Sequence, residues 1–209
     1  AHALSLLCRG GGHMKYFYTV GLHSLNCARE AASRGWSDRL VLACLLHDAS
    51  EAYLSDIIRP VKVHLSNYLE IEEKIMQTIL THFHLGDLTP EEHALWHQID
   101  DEILSQELKS LMNGEHEMVP VPLTSKPDFR ERPHEEVEEE FRDEFLSYLE
   151  EGDAILDLGC GSGRDSLEVV CRTACDVVFI DYPHILKRCE RACTHHSLLV
   201  QNMLRLISD

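Results

Sequence analysis

A mainly helical body followed by a short α/β segment is the architecture this sequence predicts, and three observations predict it. Apolar residues recur at helical spacing from residue 15 to residue 112, interrupted by N-cap and proline signals. A proline-dense stretch follows. Beyond it, Ala154-Ile155-Leu156-Asp157-Leu158 and Asp176-Val177-Val178-Phe179-Ile180-Asp181 are short apolar runs separated by a glycine turn and a helical interval, which is the pattern of a βαβ unit.

Taken in order, residues 15–35 and 37–49 carry apolar positions at helical spacing. Trp36-Ser37-Asp38 breaks them and offers an N-cap. Pro60 interrupts the next stretch, after which residues 66–84 and 90–112 read as two more helices, the second with Pro90 in its first turn. Residues 1–113 therefore read as one all-α domain. Pro120, Pro122, Pro127 and Pro133, with Gly114, make residues 114–133 a linker, because no helix interior tolerates that density. Glu135 to Leu149 is expected to be an acidic helix with an apolar stripe of Phe141, Phe145 and Leu149, opening a second region over residues 134–209.

The 209 residues, 44% hydrophobic and 26% charged, provide a real core for one domain or two small ones and exclude disorder throughout. Nineteen Lys and Arg against 36 Asp and Glu give a net charge of -17, which argues against a nucleic-acid polymer or an anionic membrane as partner. Much of that charge falls between Glu131 and Asp153. No apolar run reaches the roughly 18 residues of a membrane span, and the first residues lack the regions of a signal peptide, so a cytoplasmic location is expected. The start without Met is read as a truncation. The eight cysteines are read as reduced thiols, since Cys27 and Cys44 fall inside apolar helical patterns.

The sharpest local feature is Leu45-Leu46-His47-Asp48-Ala49-Ser50-Glu51, where an apolar helix ends in one imidazole and two carboxylates. His47 and Glu51 share a face, and Asp48 is turned by about 100°. His23 on the preceding helix and Asp100 on a later one complete two nitrogens and two carboxylates. That mixed set suits Co, Mn, Ni, Fe, Zn or Mg, with positions open for water and substrate. His93 and His97 also share a helix face, but they read as helix surface.

The series His23, His47-Asp48, Asp100 resembles the HD-domain metal-dependent phosphohydrolases in order and helical setting. The resemblance extends over residues 1–113 to the branch of 5'-deoxynucleotidases, through Glu51, Asp56 and Pro60-Val61-Lys62, and through the opening Cys8-Arg9-Gly10-Gly11-Gly12-His13. Asp100 is chosen over Asp101 because its spacing to Leu104 and Glu107 resembles the family's D-x-x-x-L-x-x-E pattern. The resemblance implies an HD helical bundle in which His23, His47, Asp48 and Asp100 bind a divalent metal. It implies hydrolysis of a small nucleotide, best matched by a deoxyribonucleoside 5'-monophosphate, by metal-activated water. Glu51 and Asp56 are the expected acid or base groups, and Arg9 and Lys62 the expected phosphate partners. A homodimer is the family expectation. The rival reading is a nucleotide-binding or regulatory HD module that does not hydrolyse.

Ile155-Leu156-Asp157-Leu158-Gly159-Cys160-Gly161-Ser162-Gly163 resembles the first motif of Rossmann-like S-adenosylmethionine-dependent methyltransferases. The resemblance implies a vestigial cofactor site at Asp157, Gly159, Gly161 and Gly163, with Asp181 where an acid would meet the ribose. Only 28 residues follow Asp181, too few for the remaining strands. A partial Rossmann-like segment is therefore expected, without S-adenosylmethionine binding; a methyltransferase fusion is the other reading. Cys171, Cys175, Cys189 and Cys193 lack the tighter spacing of zinc ribbons.

Overall fold

The computed structural model describes residues 1–112 and 119–148, together with two strands at residues 154–158 and 176–180. Among the described residues the order is α1 (His2–Leu6), a 3-10 turn (Arg9–Gly12), α2 (Val20–Ser33), α3 (Asp38–Leu46), α4 (Glu51–Leu54), α5 (Arg59–Lys62), α6 (Ser66–His82), α7 (Pro90–Leu111) and α8 (His134–Leu146), then β1 (Ala154–Leu158) and β2 (Asp176–Ile180). The chain divides into two compact units, Ala1–Phe145 and Leu146–Asp209.

In the first unit α2 and α3 form a helical pair, and α7 packs against both. Their inward faces supply a core of Leu22, Leu25, Val41, Leu45, Ile99 and Ile103, each at most 2% exposed. Local chemistry sets the helix starts. The Thr19 hydroxyl accepts from the Leu22 amide, the Ser37 hydroxyl from the Leu40 amide, and Thr89 and Glu92 form a reciprocal capping box ahead of Pro90. Gly21 lets α1 lie against α2, since a side-chain carbon there would come within 3.2 Å of the Leu4 carbonyl.

Three expectations are corrected in this unit. The first helix begins at Val20 rather than residue 15. Before it the chain is extended, with the Arg9 amide donating to the Tyr18 carbonyl and the Lys15 amide to the Leu111 carbonyl. The next helix stops at Leu46, and His47 to Ser50 pass through a tight turn closed by the Glu51 amide on the Asp48 carbonyl before α4 begins.

The stretch expected as a linker is, where described, strapped to the helices, and the compact unit runs on through Phe145. The buried Glu30 carboxylate accepts from the amides and hydroxyls of Thr124 and Ser125. Asn26 exchanges hydrogen bonds with the backbone of Asp128. Proline density forbade a helix, but it did not forbid docking. In α8, Val137 and Phe141 are buried and Phe145 packs edge-on against Phe83; Leu149 lies outside the described residues.

In the second unit β1 and β2 pair in parallel, with Ala154 opposite Asp176 and Leu158 opposite Ile180. No helix among the described residues is long and apolar enough to cross a membrane.

Candidate metal centre

Helix α2 brings in His23, the turn after α3 brings His47 and Asp48, and α7 brings Asp100. Their tips converge: the two Nε2 atoms are 3.1 Å apart, His23 Nε2 is 3.1 Å from Asp100 Oδ1, and His47 Nε2 is 3.2 Å from Asp48 Oδ2. The remaining imidazole to carboxylate distances are 3.7 and 3.8 Å. The structure thus gathers all four residues predicted as ligands. Asp101, the neighbour left aside, points to the surface and pairs with Arg59.

The far sides of both imidazoles are occupied. His23 Nδ1 lies 2.7 Å from the Glu107 carboxylate, and His47 Nδ1 lies 2.8 Å from the Cys44 carbonyl. Both partners only accept, so each Nδ1 carries a proton and each Nε2 is aimed at the common point, where a bound metal would take its lone pair. Two carboxylate oxygens, which Arg9 reaches at 3.1 and 3.4 Å, face the same point, so two imidazoles and two carboxylates meet there. The donor chemistry therefore fits a divalent metal ion.

Cys27, one turn beyond His23, places its sulfur 3.5 Å from His23 Nε2. His23, Cys27 and His47 form a buried cluster whose donor atoms lie within 4.8 Å of one another and could hold a metal ion. Cys27 was read only as a core thiol, and its i+4 spacing from His23 was the signal that could have found it.

The charges are strongly coupled. Burial and Arg9 pull the His23 imidazole down, but Glu107 and Asp100 outweigh them and its pKa is raised. Burial also opposes the rise at His47, which Asp48 and Asp100 drive. For Asp48 and Asp100 burial works upward, yet the neighbouring imidazoles hold both below the usual carboxylate range. Glu107, fully buried, is kept down at about 2 by Arg9 and His23 against its own burial. It accepts from Arg9 Nε at 2.9 Å and from the Tyr18 hydroxyl at 2.8 Å as well. Sequence reasoning used Glu107 only as a spacing mark, although seven residues beyond Asp100 means two turns along the same face.

A cavity of about 580 Å³ opens on the centre, and Arg9, Asp48, Glu51, Asp56, Lys62 and Asp100 all line it. Burial, with Asp48 and Asp56 nearby, pushes Glu51 up to about 9, and its Oε2 is buried without a hydrogen-bond partner. Asp56 accepts from the Gly10 amide at 2.5 Å. Arg9 is buried and divides its guanidinium among Glu107, Asp48 and Asp100, while the Lys62 ammonium lies 2.6 Å from Glu72. Of the proposed cofactor residues in the second unit, Asp157 lies in β1 opposite Phe179. Gly159, Gly161, Gly163 and Asp181 lie outside the described residues.

A helical fold that gathers two histidines and two aspartates from two helices and a turn defines a metal-centre class, and comparison with known proteins gives it a family. The HD domain family matches over residues 12–117, half of the chain, and the chain belongs to that family, generally one of metal-dependent phosphohydrolases. It is 35% identical over 96 residues to the Uncharacterized protein YfdR of Escherichia coli (strain K12), covering 45% of this chain and 51% of that protein. It is likewise 35% identical over 95 residues to the Uncharacterized protein RCAP_rcc00048 of Rhodobacter capsulatus, covering 43% of this chain and 48% of that protein. The chain spans about half the length of the curated relatives it matches.

Proposed function

We propose that the chain is a divalent-metal-dependent phosphomonoester hydrolase acting on a small nucleotide, with a deoxyribonucleoside 5'-monophosphate as the best-fitting substrate. The observation that carries this is the convergence of His23, His47, Asp48 and Asp100 on one point, with both Nδ1 atoms already committed. In this reading those four side chains would hold the ion, whose charge would activate water. The cavity wall of Met14, Ile57, Ile58, Leu104, Leu108 and Met112 suits the apolar faces of a base and sugar.

Burial and the charges of Asp48 and Asp56 push the Glu51 carboxyl up, which favours a carboxyl that carries a proton. As water forms its bond to phosphorus and the ester P–O bond breaks, that proton passes to the leaving sugar oxygen; the proton lost by water then restores the carboxyl. Glu51→Gln is expected to lower kcat by about 10²- to 10⁴-fold, the usual range for removing a general acid, while leaving metal affinity unchanged.

The direct test is phosphate release from a panel of nucleotides with added Co, Mn, Mg or Ni. Release that requires one of these ions and His47 supports the reading. Folded, metal-loaded protein that releases none from any nucleotide overturns it and leaves the non-catalytic nucleotide-binding module. For residues 134–209, the parallel pairing of β1 and β2 supports a partial Rossmann-like segment, and calorimetry with S-adenosylmethionine is expected to show no binding.

A further inference from the structure

Arg9, His13, Arg59 and Lys62 all line the cavity, but their surroundings differ. Arg9 lies under the centre, fixed by three carboxylates, and Lys62 is held by Glu72 with its ammonium 5.7 Å from the Tyr68 ring. Both are paired with acids whose side chains are at most 19% exposed. Arg59 stands at the mouth with 60% of its side chain exposed. Its Nη1 lies 2.8 Å from Asp101 Oδ1, and its Nη2 lies 3.7 Å from Asp100 Oδ2.

Asp100 therefore has two faces. Its Oδ1 belongs to the imidazole cluster, and its Oδ2 faces Arg59. The guanidinium sits one carboxylate away from the point where the ion would be held. Pro60, directly after Arg59, limits the backbone from which the side chain extends. The partner that aims it, Asp101, is itself 60% exposed, so the pair contributes little to stability and serves to orient the guanidinium. A phosphoryl group suits the rest of the fork, because its oxygens accept parallel bonds from a guanidinium.

We propose that Arg59 is the residue that grips the phosphoryl group at the metal centre, and that Asp101 is the positioning residue that holds its guanidinium over Asp100. The Asp100-Asp101 doublet then has a division of labour: successive residues of α7, turned by about 100°, serve the ion and the anion separately. This rests on the phosphohydrolase reading and moves the leading phosphate contact from Arg9 and Lys62 to Arg59.

The test uses the full chain loaded with Mn, comparing the unaltered protein with Arg59→Ala, Arg59→Lys, Asp101→Asn and the Arg59→Ala/Asp101→Asn double variant. Inorganic phosphate affinity is measured by calorimetry, metal affinity is measured separately, and KM and kcat are measured on a deoxynucleoside monophosphate. Arg59→Ala should weaken phosphate binding by about 10- to 100-fold, the size expected for charged hydrogen bonds, with metal affinity unchanged. Arg59→Lys should recover only part of the loss, because a point charge cannot reproduce the fork. Asp101→Asn should raise KM more than it lowers kcat, and should add nothing once Arg59 is gone. Phosphate affinity unchanged in Arg59→Ala, or an Asp101→Asn penalty undiminished without Arg59, overturns the assignment while the hydrolase reading stands. Metal-loaded unaltered protein that neither binds phosphate nor hydrolyses a phosphomonoester overturns both.

Discussion

Glu30 and Glu107 are both fully buried, and both carboxyls are held down at about 2, yet they do different work. Burial pushes each of them upward, so each survives as an anion only through its partners. Glu30 is met by the amides and hydroxyls of Thr124 and Ser125 and by Arg34 Nε at 2.8 Å. Glu107 is met by Arg9, Tyr18 and the His23 imidazole, all of them groups that carry or exchange protons. Around Glu30, the amides and hydroxyls of a passing segment join one guanidinium to make a clasp. Around Glu107 one partner is an imidazole, and the charge fixed on Glu107 sets the tautomer and basicity of His23.

The largest effect should come from Glu107→Gln. The Gln side chain can still touch His23 and Arg9 but carries no charge, so metal affinity measured by calorimetry is expected to fall by about 10- to 100-fold, in line with loss of a carboxylate behind a ligand histidine. Glu30→Gln should do the opposite: chemical denaturation should show a loss of about 1.5–3 kcal/mol, the range for hydrogen bonds to a charged group, with metal affinity unaltered. A metal defect in Glu30→Gln as large as that in Glu107→Gln would erase the distinction.

Acidification sharpens it. The folded Glu30 carboxyl titrates near 2 against an ordinary 4.5, so its contribution to stability is complete above about 4.5 and is lost as pH falls toward 2. The stability gap between the unaltered protein and Glu30→Gln should close over that interval, and a gap that persists at the acid end would refute the account. The smallest effect is expected for Ser125→Ala, which removes one of several donors to Glu30 and should cost about 0.5–1.5 kcal/mol.

Helix starts were readable at Ser37 and at Pro90, because a cap and a first-turn proline act between near neighbours. The His23, His47, Asp48 and Asp100 series was readable for its order along the chain, although His47 and Asp48 sit in a turn rather than a helix. Residues 15–19 misled because their apolar spacing serves an extended segment tied to the end of α7. The strap was invisible because its partners, Asn26 and Glu30, lie about a hundred positions away and give no local sign of what they hold. Arg59 went unread for the same reason: its meaning depends on Asp101, brought beside it only by the fold.

The seven-residue interval on α7 between Asp100 and Glu107 has a consequence for changes of chain length. A single residue inserted between them would rotate everything downstream by about 100°, swinging Glu107 away from His23 and Arg9 while Asp100 stayed in place. Seven inserted residues would restore the angle but carry Glu107 about 10 Å further along the axis. The helix behaves as a cam rather than a rod, and its timing is as exacting as the identity of any residue it carries.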